Sequence, residues 1–316
     1  MKRLRSNSTD SEGITSGLTS FNSDGFSLGT DSSGNSSGGT YVAWCWKAGG
    51  GSNTFNVDGT GYATASAAGI TDGSIALTGA SVNTTAGFSI VSYTGNGSAG
   101  ATIGHGLGNI PSFIIIKDRV NGSNGWPVFH KSTGNTDFLY LNDTSASIDN
   151  NTAWNDTSPT SDVFTVGAGT LMNTNGNTYI AYCWAEIEGF SKFGSYTGNG
   201  STNGPFVNCG FKPAWVMIKA ADDLSPSQAY ASWAIKDSSR NPYNKPDSLT
   251  LWANEPYTED KRGNGDADTF NENFDFLSNG FKMSSSSSYE VETNKSGVKY
   301  IFAAFAESPF KTANAK

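Results

Sequence analysis

The sequence predicts an all-β protein built as tandem β-sandwich-like repeat domains preceded by an N-terminal half repeat. Three observations predict it. Ser92-Tyr93-Thr94-Gly95-Asn96-Gly97-Ser98 returns letter for letter at residues 195–201, an offset of 195 − 92 = 103. Ile110-Pro111-Ser112-Phe113-Ile114-Ile115-Ile116-Lys117 returns in kind as Lys212-Pro213-Ala214-Trp215-Val216-Met217-Ile218-Lys219, at 213 − 111 = 102. Blocks that hold register over such a length mark two copies of one unit. Third, no stretch of ten residues has convincing helical periodicity, whereas short apolar or alternating runs recur between Gly, Asn and Ser clusters, the pattern of a sandwich or barrel-like domain.

Residues 1–46 read as a tail and a half repeat. Phe26-Ser27-Leu28 leads to Tyr41-Val42-Ala43-Trp44-Cys45-Trp46. The same succession recurs from Phe164-Thr165-Val166 to Tyr179-Ile180-Ala181-Tyr182-Cys183-Trp184, and from Phe281-Lys282-Met283 to Tyr300-Ile301-Phe302-Ala303-Ala304-Phe305. Each unit is expected to be a β-hairpin with a polar loop. A lone hairpin is marginal in water, so the first is expected to add to a neighbouring sheet, in this chain or another. Its open edge suggests a homo-oligomer. Residues 47–87, rich in Gly, Ser and Ala, are expected to be a connection.

Residues 88–189 form the first full repeat domain and residues 190–316 the second. The runs at 113–116 and 215–218, each after a proline, suit strands buried on both faces. Trp126-Pro127-Val128-Phe129 and Trp233-Ala234-Ile235 follow as further strands. Leu139-Tyr140-Leu141 and Leu249-Thr250-Leu251 alternate, as half-buried strands do.

A net charge of −8 disfavours a nucleic-acid partner, because Lys and Arg supply most of that affinity. No apolar run approaches a membrane span. Lys2, Arg3 and Arg5 precede a polar run where a signal peptide would be apolar. Cys45, Cys183 and Cys209 are too few and too widely spaced for a disulfide framework or a zinc site, and Cys45 and Cys183 are expected to be buried.

Neither His105 nor His130 has a counterpart in the second repeat, and no Gly-x-Ser-x-Gly elbow accompanies them. Glycine-rich residues 104–108 and 93–97 lack the following helix that a phosphate loop needs. Glu186 and Glu307 recur in step, as do Lys117 and Lys219, which suggests one structural ion pair per domain. Asp137–Asp143 and Asp266–Asn273 are acidic but match no calcium loop. No catalytic residue, cofactor or metal is expected. Trp126, Trp154, Trp233 and Trp252 lie near turn-rich segments where an aromatic ring can stack on sugar. Trp126 and Trp233 are equivalent in the two repeats, and a position kept aromatic in both is more simply core; Trp154 is the best exposed candidate, and Trp126 and His105 complete the candidate ligand-binding set.

The run at residues 88–97, the turn at 104–108 and Tyr179-Ile180-Ala181-Tyr182-Cys183-Trp184-Ala185-Glu186 resemble a repeated domain of marine phage virion proteins. So do residues 188–194, Arg240-Asn241-Pro242-Tyr243-Asn244 and residues 304–311. That family is tail-fibre-like. The resemblance covers roughly residues 14–316. It implies an all-β virion structural protein of the tail-fibre, appendage or capsid-surface type, localised to the virion, that acts by surface contact in host adsorption or particle assembly. Its partners would be other virion proteins and a host cell-surface glycan. It carries no catalytic residues. A lectin-like carbohydrate-binding module is the alternative. A polysaccharide depolymerase fits less well, since no convergent acid and base are visible.

Overall fold

The computed structural model describes residues 1–227, 231–240, 244, 249–259, 274–283 and 292–309. The chain is all-β. Among the described residues the α-helices are two four-residue turns, Ser32–Asn35 and Asn151–Trp154.

Two large sheets dominate. The nine-stranded sheet runs, side by side, Ile148–Asp149, Asp137–Tyr140, Pro127–His130, Pro111–Asp118, Thr178–Ala185, Phe88–Thr94, Leu77–Asn83, Phe55–Val57, Thr60–Tyr62. The five-stranded sheet runs Ser191–Thr197, Lys299–Ala306, Pro213–Ala220, Ala234–Asp237, Leu251–Trp252. Five strands of the first sheet therefore stand in the same chain order as the five of the second. Both proline-led strands carry a register shift at their start, at Pro111/Phe113 and at Pro213/Trp215.

Alternation along the strands explains the layering. Phe113 and Ile115 face one side of the first sheet, and Ile114 and Ile116 the other. The first side meets the second sheet, whose Phe193, Met217, Ile235 and Ile301 join the same core. Phe113 lies 5.8 Å from Phe193, ring to ring. The other side of each large sheet packs on a small one: Ala101–Gly104 with Val163–Val166, and Phe206–Asn208 with Gly280–Met283 and Phe274–Leu277. All eight residues of Pro111–Asp118 are consequently buried.

Three expectations need correction. Phe164 and Phe281 do not form hairpins with the strands that follow them. Val163–Val166 pairs with Ala101–Gly104, and Gly280–Met283 with Phe206–Asn208, in the small sheets. The chain crosses the core between the two strands, so their apolar faces meet instead of lying side by side. Phe26–Leu28 likewise pairs with Leu18–Phe21, and residues 41–46 belong to no strand among the described residues. Residues 47–87 are more than a connection. Leu77–Asn83 pairs antiparallel with Phe88–Thr94, and Phe55–Val57 pairs parallel with Leu77–Asn83. Ser191–Thr197 has no such cover and ends its sheet.

Candidate functional site

The three candidate ligand-binding residues are all buried, and the structure does not bring them together. Trp154, expected to be exposed, closes the helix Asn151–Trp154 and packs edge-on against Phe129 at 5.7 Å, in the core under the small sheet. The expectation failed because polar flanks signal a turn, and this turn folds its one large apolar side chain inward. Trp126 lies in the core on the opposite face of the same sheet. Its Nε1 donates to the carbonyls of Arg5 and Ser8, at 3.1 and 3.0 Å. His105 Nε2 donates to Thr160 O at 3.2 Å, and its Nδ1 accepts from Leu107 N. Burial pulls its pKa down to about 4. None of these groups faces solvent for a glycan.

Other side chains do converge, at the seams between sheets. Trp233 Nε1 donates to Tyr140 O at 2.8 Å, as Trp126 Nε1 does to Arg5 O. Lys219 Nζ reaches the carbonyls of Thr144 and Ser145, and Lys117 Nζ that of Thr9. Burial holds the Lys219 ammonium down to about 7. Ser147 N donates to Ala221 O at 2.8 Å, and Glu12 N to Arg119 O at 2.9 Å. Residues 5–12 thus meet the first large sheet as residues 140–147 meet the second.

The expected ion pairs are also redrawn. Lys117 and Lys219 bind backbone carbonyls rather than carboxylates, because each is sealed at the base of a seam. Glu186 instead pairs with Lys131 and Lys192, and Glu307 with Lys212. Burial raises the pKa of Glu186, but these lysines and the Phe193 amide more than offset it and leave it lowered. Cys45 is exposed, contrary to expectation, while Cys183 and Cys209 are buried.

An aromatic centre joins the pieces. Trp46 sits 5.2 Å from Trp215, 5.4 Å from Phe305 and 6.5 Å from Trp184. Trp44 packs on Trp215 at 6.2 Å and donates to Asp237 Oδ2 at 3.2 Å. Sequence reasoning assigned Trp44 and Trp46 to a strand and missed this role. The available signal was two tryptophans in a segment with no paired half.

The identical Tyr-Thr-Gly-Asn-Gly motifs have one structural job. Asn173 and Asn294, both fully buried, each hold one of these loops. Asn173 Oδ1 accepts from the amides of Asn96 and Gly97, and its Nδ2 donates to Ser98 O. Asn294 Oδ1 accepts from Asn199 N, and its Nδ2 donates to Ser201 O. Tyr93 stacks on Tyr179 at 5.2 Å and Tyr196 on Tyr300 at 5.3 Å. A Cβ on Gly95 or Gly198 would collide with the carbonyl of Thr174 or Lys295.

A family model described as a domain of unknown function, DUF7483, matches residues 1–309. The chain belongs to the DUF7483 family. The DUF7483 match runs unbroken through the N-terminal segment, both large sheets and the seams between them. No curated protein and no solved structure matches the chain. Among the described residues of this DUF7483 chain, no three His, Cys, Asp or Glu stand together as a metal group, and no helix is long and apolar enough to cross a membrane. Asp266–Asn273, one of the two acidic stretches, lies outside the described residues.

Proposed function

We propose that the protein is a virion structural component, of the tail-fibre, appendage or capsid-surface type, built from two copies of one β-sandwich-like domain at residues 88–189 and 190–316. The observation that carries the reading is where the aromatic residues go. They tie sheets to one another through shared cores and seams, and the candidate ring surfaces for a small ligand are used up in doing so. Most of the large apolar side chains left exposed lie in the first 46 residues, Ile14, Phe21, Phe26, Leu28, Tyr41 and Val42 among them, with Ile110, Val120, Phe206 and Tyr257 elsewhere. That concentration of exposed apolar side chains in one segment suits contact with other protein, since exposed apolar surface beyond scattered single residues marks interaction sites. The shared strand order, the paired seam bonds and the two asparagine-held loops support the two-copy reading. The sequence resemblance to phage virion domains supplies the setting, and many weak contacts on one particle would add through avidity.

The test is mass spectrometry and immunogold labelling of purified particles, with binding of labelled protein to host cells in competition with infection. Protein on particles is the expected result, and saturable, infection-blocking binding would place it in adsorption. Its absence from purified particles overturns the assignment.

A further inference from the structure

We propose that residues 1–46 are the second half of a third unit, and that the open side of this half is a docking site for a first-half segment of the same repeat. The proposal rests on the two-copy reading. The third half is visible in geometry that the sequence alone does not show. Lys2 pairs with Ile14 and Arg3 with Gly13, in the register in which Asp137 pairs with Asp149 and Phe138 with Ile148. Ser36 N donates to Tyr41 Oη at 2.9 Å, as Thr174 N does to Tyr179 Oη and Lys295 N to Tyr300 Oη. Asn35 Nδ2 donates to Gly29 O, as Asn173 Nδ2 does to Gly167 O.

The three pieces contact one another in a ring. Trp233, Lys219 and Ala221 engage residues 140–147 just as Trp126, Lys117 and Arg119 engage residues 5–12. In the other direction, His130 Nε2 donates to Phe302 O in the second unit, and Asp237 of that unit accepts from Trp44. Trp46, Trp184 and Phe305, which hold corresponding positions, meet at the centre. Two seams are complete. The third position has only half its unit.

Exposure shows what is missing. Tyr41 is 52% exposed, where Tyr179 and Tyr300 are at 0%. Phe26 and Leu28 are 37% and 44% exposed, where Phe164, Val166, Phe281 and Met283 are at 0%. Cys45 is exposed where Cys183 is sealed. In the complete units these positions are covered by a first half. Phe88–Thr94 and Pro111–Asp118 flank Thr178–Ala185 on both edges, and Ser191–Thr197 and Pro213–Ala220 flank Lys299–Ala306. The occupant is therefore a segment with a Tyr-Thr-Gly-Asn-Gly loop, whose tyrosine stacks on Tyr41 and whose amides meet Asn35, followed by a proline-led apolar strand. A second copy of this chain is a poor donor, because both of its first halves are already hydrogen-bonded to their own central strands. The contact is β-augmentation on a preformed half core.

Residues 1–14 keep the register of residues 136–149, so a second copy of residues 87–135, which contains no cysteine, can be joined directly ahead of Met1. The readout is the alkylation rate of Cys45 in the 316-residue chain and in the extended one, with Cys183 and Cys209 silent because they are buried. The extension should slow Cys45 by 100-fold or more, and Ile114→Asp with Ile116→Asp in the added segment alone should restore the fast rate. Equal rates in the two chains overturn the proposal, whether or not the added segment resists protease. So does a 316-residue chain that self-associates with Cys45 protected, since the occupant would then be a second copy. The two-copy reading stands or falls separately, on whether N173A and N294A cost alike.

Discussion

Both histidines are held neutral by burial. His130 Nε2 donates to Phe302 O at 3.1 Å, and its Nδ1 accepts from Ser132 N. Its pKa falls to about 3 through burial, with Lys131 and Lys299 nearby adding to the effect, and that of His105 to about 4. An unfolded histidine titrates near 6.5. Between that value and the folded ones the unfolded chain binds protons that the folded chain refuses. Stability is therefore full above about pH 6.5 and falls as the pH drops through the window, by roughly 1.4 kcal/mol per pH unit for each histidine. Urea unfolding at pH 7 and pH 5 measures the loss. His130→Gln keeps a donor and an acceptor but does not titrate, so it should remove about half of the dependence. An unchanged slope would mean that His130 is already protonated in the folded protein.

The asparagine-held loop is the smallest element that explains a sequence identity. Asn173 satisfies two amides and two carbonyls inside the protein, and cutting it to Ala strands them. N173A and N294A should each cost roughly 2–3 kcal/mol by denaturant unfolding. A cost near zero in both would show that the loops are held by their turns alone, and a cost in only one would count against the two-copy reading. The identity of residues 92–98 with 195–201 was legible, but its cause was not, because Asn173 and Asn294 lie outside the matched blocks. The proline-led strands at 111–118 and 213–220 were readable because a short unbroken apolar run after a proline suits a strand covered on both faces. The pairing of Phe164 and Phe281 was not readable. Alternation fixes which face a residue takes but leaves open whether the next strand lies beside it or across the core. Trp154 was misread for a related reason, since a four-residue helix has no periodicity to reveal its buried side. Trp126 and Trp233, aromatic at matching places in the repeated sequence blocks, were readable as core, though not as the donors that close the seams.

At the scale of the whole molecule, the two large sheets share one core, so neither 88–189 nor 190–316 presents a finished surface alone. Where the sheets adjoin, Glu186 ties Lys131, just past a strand of the first large sheet, to Lys192 in the second, and accepts from Phe193 N at 3.3 Å. That amide belongs to Ser191–Thr197, the strand that ends its sheet. A free sheet edge is a template for further strands, and here a carboxylate stands as its stopper. The lowered pKa of Glu186 means that its contribution is complete above about pH 4.5 and is lost as the pH falls below that value. Acid then does two things to a concentrated preparation: it removes net charge on the way to the pI near 4.8, and below that it uncorks the edge. Light scattering, followed as the pH is taken progressively below the ordinary glutamate range, should show growth into larger particles once Glu186 is protonated. E186Q, at neutral pH, should show the onset of the same growth while the rest of the surface keeps its charge. A variant that stays monodisperse would show that the edge is guarded by something other than this carboxylate. For anyone purifying the protein, the expected consequence is colloidal: storage at neutral pH keeps this carboxylate ionised and the edge stopped.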